Sequence, residues 1–186
     1  MTYSPAPDDG KLRKRLETIT GMRSDKQLTA IEKLRAEFSH SIVLREKANS
    51  TRIPFNCYEY AFNIACTPPV NIISTEGDAK QNEKLAVTTD FVSELIGEVL
   101  IEREPCNATD GDIIIYFDNN TPTHAGKFYK GRVVSKWGNG HLWEHVIYEV
   151  PLRYGDRIKF FLPVDRDGIL KRFIQYAKAH GSNYED

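Results

Sequence analysis

The opening stretch, MTYSPAPDDGKLRKRLETIT, lacks the apolar core that a secretory leader needs, and no later run is long enough to span a bilayer. The expectation is a cytosolic protein, or one exported without a recognisable N-terminal signal. Cysteine is scarce: Cys57, Cys66 and Cys106 make an odd set with no C-x-x-C spacing. That argues against a disulfide framework and against a cysteine-rich zinc site. A surplus of either charge is missing too. With 25 Lys and Arg against 26 Asp and Glu, the formal net charge of −1 leaves no basic footprint for nucleic acid. Internal repeats and low-complexity tracts are absent.

What remains is an ordinary globular composition, 40% hydrophobic and 27% charged over 186 residues, enough to bury a sizeable core. Ser4 to Asp9 reads as a frayed arm and Lys11 to Thr20 as a short helix closed by Gly21. Ser24 and Gln27 have capping-box spacing. Leu28, Ile31, Leu34 and Phe38 recur at helical spacing, with Ile42 continuing the stripe. Lys47 to Arg52 reads as a loop, and Cys57 to Ala65 as a helix stopped by Pro68 and Pro69. Asn71 to Glu83 is a polar loop. Thr88 or Thr89 caps a helix carrying Phe91, Leu95, Ile96, Val99 and Leu100.

The texture changes after Pro105. Ile113 to Phe117 is an apolar, β-rich run and a candidate central strand. A turn over Asp118 to Pro122 leads into a hairpin, His124 to Tyr129 and Arg132 to Trp137, turning at Lys130 and Gly131. Arg157 to Leu162 is a last strand, and Ile169, Leu170, Phe173 and Ile174 mark a C-terminal helix. Helices first and then a mostly antiparallel sheet make an α+β fold. Residues 1–49 form a helical extension and residues 50–186 the main domain, unless both share one core.

Cys57 and His124 are the chemical candidates. A free thiol is mostly protonated at neutral pH, with a pKa of about 8.5. A helix N-terminus favours the thiolate and offers amides for an oxyanion, and an imidazole takes the proton and returns it to the leaving group. The plain alternative is a packed cysteine and a turn-capping histidine. His141, Glu144 and His145 also match H-x-x-E-H, a zinc-peptidase spacing if helical. Asn139, Gly140 and the extended-prone Val146 to Val150 make a poor helical setting, so no metal is expected. Cys66 and Cys106 are read as structural, and His40 and His180 carry no assigned chemistry. Trp137, Trp143 and Tyr148 are core residues or groove lining.

Asn56-Cys57 leading an aromatic helix, then Gly111-Asp112 before Ile113 to Phe117, then His124-Ala125-Gly126 and a hairpin resemble the papain-like NlpC/P60 superfamily of cysteine hydrolases. Ser135-Lys136-Trp137-Gly138 is also similar to a segment of uncharacterised relatives. The resemblance, over about Pro54 to Pro163, implies that Cys57 attacks an amide of a peptide or peptidoglycan-like substrate, with His124 as base and no cofactor. Such families place a polar residue on the next strand to orient the imidazole. Ser135 occupies that place and Glu144 is a second candidate; Asn56, Tyr58 and Trp137 are the candidate substrate contacts. A weak orienter is also the mark of the alternative, a catalytically weak or inactive module of the same scaffold that binds a protein or peptide.

Overall fold

The structure is a computed structural model and describes residues 9–48, 55–65, 71–72, 83–84, 86–138 and 140–180. Its centre is β5 (Ile113–Asp118), hydrogen-bonded on one side to β6 (Thr121–Tyr129) and on the other to β9 (Arg157–Phe161). Being covered on both faces as well, β5 shows a continuous apolar run rather than an alternating one. Among the described residues the sheet has seven antiparallel strands. Added to these three are β7 (Arg132–Lys136), β8 (Leu142–His145) and the edge strands β1 (Val43–Glu46) and β4 (Glu102–Arg103). Their order is β1-β8-β7-β6-β5-β9-β4. The β6–β7 hairpin turns as expected: Lys130 and Gly131 take φ of 49° and 75°, and Tyr129 pairs with Arg132.

Pleating sends alternate residues of β5 into two cores. Ile114 and Tyr116 enter the first, with Phe128, Val133, Trp137, Trp143 and Tyr154. Two helices cover it: α1 (Asp9–Thr20) through Leu12, Leu16 and Ile19, and α2 (Ser24–Leu34) through Ile31 and Leu34. Ile113, Ile115 and Phe117 enter the second core. That core is covered by α3 (Cys57–Ala61), α4 (Thr89–Glu98) and α5 (Arg166–Ala179). The N-terminal helices therefore supply one wall of the sheet's packing. Arg13 ties them down by donating to the carbonyls of Val150 and Gly155.

Several sequence expectations need correction. The apolar stripe does not run helically to Ile42; α2 ends at Leu34, and Ile42 is buried from the extended approach to β1. Ser24 is the first residue of α2 rather than its cap. Gln27 instead donates to the carbonyls of Thr20 and Met22, fixing the α1–α2 corner. The helix from Cys57 is one turn shorter than expected. Strands β1 and β4 were unexpected, and β8 falls where loop and strand residues were expected. Thr88 does cap α4, accepting from the Phe91 amide. The Ser4 arm, Cys66 and the Pro68-Pro69 stop lie outside the described residues. Of the expected Asn71 to Glu83 loop, β2 (Asn71–Ile72) pairs antiparallel with β3 (Glu83–Lys84). Among the described residues no helix is long and apolar enough to cross a membrane.

Candidate active site around Cys57

Cys57 opens α3 because its neighbours build a reciprocal cap. The Asn56 side chain accepts from the Glu59 amide at 3.0 Å, and the Glu59 carboxylate accepts from the Asn56 amide at 2.6 Å. Asn56 also donates to the Val87 carbonyl at 2.8 Å, fastening the cap to the segment before α4. Tyr58, buried, donates its hydroxyl to the Pro122 carbonyl and anchors α3 on β6. Asn56 and Tyr58, expected as substrate contacts, thus act here by positioning the helix.

Cys57 as a residue is half-buried, with its thiol on the enclosed side. Burial pushes its pKa up to about 11; backbone N–H groups of Ala125, Tyr58 and Cys57 facing the sulfur oppose that rise without cancelling it, and Glu59 adds to it. The thiol is protonated at rest. Ala125 directly follows His124 on β6, but pleating sends the two side chains to opposite faces: Ala125 joins Cys57 in the second core, and the imidazole turns away from it.

His124 pairs with Tyr116 across β5–β6 and turns its ring toward the first core. It stacks on Tyr154 at 3.8 Å between centroids and 5° between planes. Its Nε2 is buried without a hydrogen-bond partner. Burial above all, then His145 and Arg153, holds its pKa well below the usual imidazole range, so the ring is neutral. No hydrogen bond joins this ring to the Cys57 sulfur. Tyr154 links the two: its ring covers His124, and negative charge on Cys57 raises its own phenol pKa.

Ser135 lies on β7 opposite Gly126, on the His124 face of the sheet. Its hydroxyl, however, is 2.8 Å from His145 Nε2 and accepts from Trp137 Nε1 at 3.0 Å. His145 Nδ1 in turn bonds the Val146 carbonyl. Ser135 therefore supports His145 and does not orient His124. Glu144 fails for a different reason. Ser135 pairs with Trp143, which enters the first core, so pleating turns Glu144 to the opposite face. There it forms ion pairs with Arg45 at 2.9 Å and Arg132 at 2.6 Å. Trp137 is 1% exposed and belongs to the first core rather than to a groove.

The H-x-x-E-H stretch is strand, not helix. His141 bonds the Ala48 amide and the Ser24 carbonyl, and among the described residues no cluster of metal-ligating side chains occurs. Asp112, of the Gly-Asp pair, is fully buried against Arg103 at 2.9 Å and is structural. Sequence reasoning missed three neighbours of the site. Glu59 had a readable signal, the N-x-x-E spacing after Asn56. Tyr154 and Lys136 had none, because only strand order brings them here.

No curated protein and no solved structure matches the chain. A family model does match, over residues 46–162, which is well over half of the chain and takes in Cys57, His124 and the strands β5 to β9. The chain belongs to the family described as a domain of unknown function, DUF7689.

Proposed function

We propose that the protein is a papain-like cysteine hydrolase that cleaves an amide, of peptide or peptidoglycan type, through Cys57 and His124. The observation that carries this reading is the placement of the Cys57 sulfur: it heads a capped helix against the amide that follows His124, whose buried Nε2 has no partner. Both groups are neutral at rest, so activation belongs to the reaction step. His124 takes the thiol proton as the sulfur bonds to the carbonyl carbon, a step that requires its ring to leave the Tyr154 stack and turn toward the sulfur. Backbone amides at the head of α3 hold the oxyanion. Collapse breaks the C–N bond, the imidazolium protonates the leaving amine, and water then hydrolyses the thioester.

Alkylation by iodoacetamide across pH, followed on the Cys57 peptide by mass spectrometry, tests it. The expected result is a Cys57 rate below that of a free thiol at pH 7, as its raised pKa of about 11 requires, and reduced further by His124→Ala. A rate indifferent to His124→Ala overturns it. That outcome favours a second reading, an inactive module of this scaffold that binds a protein or peptide. The commitment of Ser135 to His145, which leaves His124 without the expected orienter, supports that alternative.

A further inference from the structure

We propose that Lys136 is a specificity residue of the Cys57 site, recognising a carboxylate carried by the substrate close to the scissile amide; this rests on Cys57 being the reacting thiol. Gly126 pairs with Ser135, so Lys136 is the next residue of β7 toward Ala125, whose amide faces the sulfur. Its side chain therefore lies on the α3 side of the sheet, opposite Ser135. The ammonium sits 4.9 Å from the ring centroid of Phe55, two residues before Cys57. Phe55 is itself stacked on Tyr60 of α3.

Lys136 is 7% exposed, yet among the described residues no carboxylate lies within ion-pair distance of it. One N–H goes to the Gly140 carbonyl and the cation rests on an aromatic face. Glu46, in register with Lys136 across Leu142, acts on it only through its field, as does Cys57. A buried ammonium with an aromatic platform and a carbonyl, but among the described residues no carboxylate in direct contact, is a half-built anion site. Its place beside the thiol makes a carboxylate on the substrate the fitting counter-charge. Attack at a neighbouring carbonyl would then leave that carboxylate against Lys136.

Cys57 itself can report this charge without knowledge of the substrate. Iodoacetate and iodoacetamide form the same kind of S–C bond and expel iodide, but only the first is an anion. The ratio of their second-order rates at Cys57, referred to N-acetylcysteine amide, should be about tenfold above the reference in the wild-type protein. It should return to the reference value in Lys136→Gln and largely survive in Lys136→Arg. Added salt should lower the wild-type ratio while leaving the iodoacetamide rate unchanged, which tests the idea even where Lys136→Gln fails to fold. A wild-type ratio at the reference value, a ratio unmoved by Lys136→Gln or one insensitive to salt overturns the proposal. Failure of the hydrolase reading shows elsewhere, in an iodoacetamide rate that does not depend on His124.

Discussion

Ser135 Oγ lies 2.8 Å from Nε2 of His145, between two neighbouring strands of the sheet. With His145 Nδ1 bonded to the Val146 carbonyl, Nε2 must accept, so the serine donates. The same oxygen accepts the Trp137 indole N–H. All three groups are buried and satisfied in one chain of bonds. Ser135→Ala leaves an imidazole nitrogen and an indole N–H without partners, at a cost of about 1–3 kcal/mol each before relaxation. The expected outcome is a lower denaturation midpoint with an unchanged rate of Cys57 alkylation. A large drop in that rate, in a variant that remains folded, would return Ser135 to the role of orienter.

Burial lowers the His145 pKa from 6.5 to about 4. The unfolded chain therefore binds a proton on this ring well before the folded chain does. Stability from keeping the ring neutral is fully present above pH 6.5 and is lost as pH falls through about 4. The contribution is about 3 kcal/mol for a shift of this size. Glutamine offers an acceptor for Ser135 and a donor for the Val146 carbonyl but does not titrate. Thermal melts from pH 7 down to 4 should show His145→Gln losing less stability than the wild type. Equal slopes would mean that His145 is accessible to protons in the folded state. His124 is held low by burial first and by His145 second, so His145→Gln also relieves part of its shift, which acts in the same direction as the expected difference.

The Asn56–Glu59 box fixes where α3 begins, and hence where the sulfur sits. Asn56→Ala removes the acceptor for the Glu59 amide and the donor to Val87; the expected loss is about 1–2 kcal/mol. Asn56→Asp retains the acceptor and loses only the donor, so it should fall between. If the cap serves the site as well as stability, the Cys57 alkylation rate should change in the same order. Hydrogen exchange of the Tyr60 and Phe62 amides, bonded to the carbonyls of Asn56 and Tyr58, gives a direct readout of the helix.

The sequence was most legible where one physical signal dominated. β5 was readable because it is covered on both faces, Thr88 because a hydroxyl precedes an apolar helix, and the hairpin because Lys130-Gly131 supplies two positive-φ residues. The edge strands were not. β1 is largely exposed and β4 has two residues, too short for alternation to register. The H-x-x-E-H stretch reads as loop and strand but does not say which strand β8 would lie beside, and that gap had consequences for the site. Pleating alone placed Ser135 on the His124 face correctly. Which neighbour its hydroxyl meets depends on β8 lying beside β7, a fact of strand order that local spacing does not contain. The same holds for Tyr154, which reaches His124 from the segment before β9.

Gly126, third residue of the His-Ala-Gly run, shows why that run needs its glycine. A Cβ there would come within 2.8 Å of Val133 Cγ1, 2.8 Å of the Val134 carbonyl oxygen and 2.9 Å of Ser135 Cβ. Two of these obstacles are backbone or the root of a side chain, so the strands themselves must part. The shift would act where β6 and β7 pair, one residue from the amide that faces the Cys57 sulfur. Gly126→Ala is therefore expected to cost about 1–3 kcal/mol of stability. It should also perturb Cys57 reactivity more than Gly97→Ala, where a Cβ meets nothing within 4 Å. Gly97 is within α4, so its replacement by alanine should raise helix propensity by up to about 1 kcal/mol. Opposite signs in the two melting temperatures, with a changed alkylation rate only for Gly126→Ala, are the expected pattern. Matching behaviour of the two variants would show that the β6–β7 spacing is looser than 2.8 Å contacts allow.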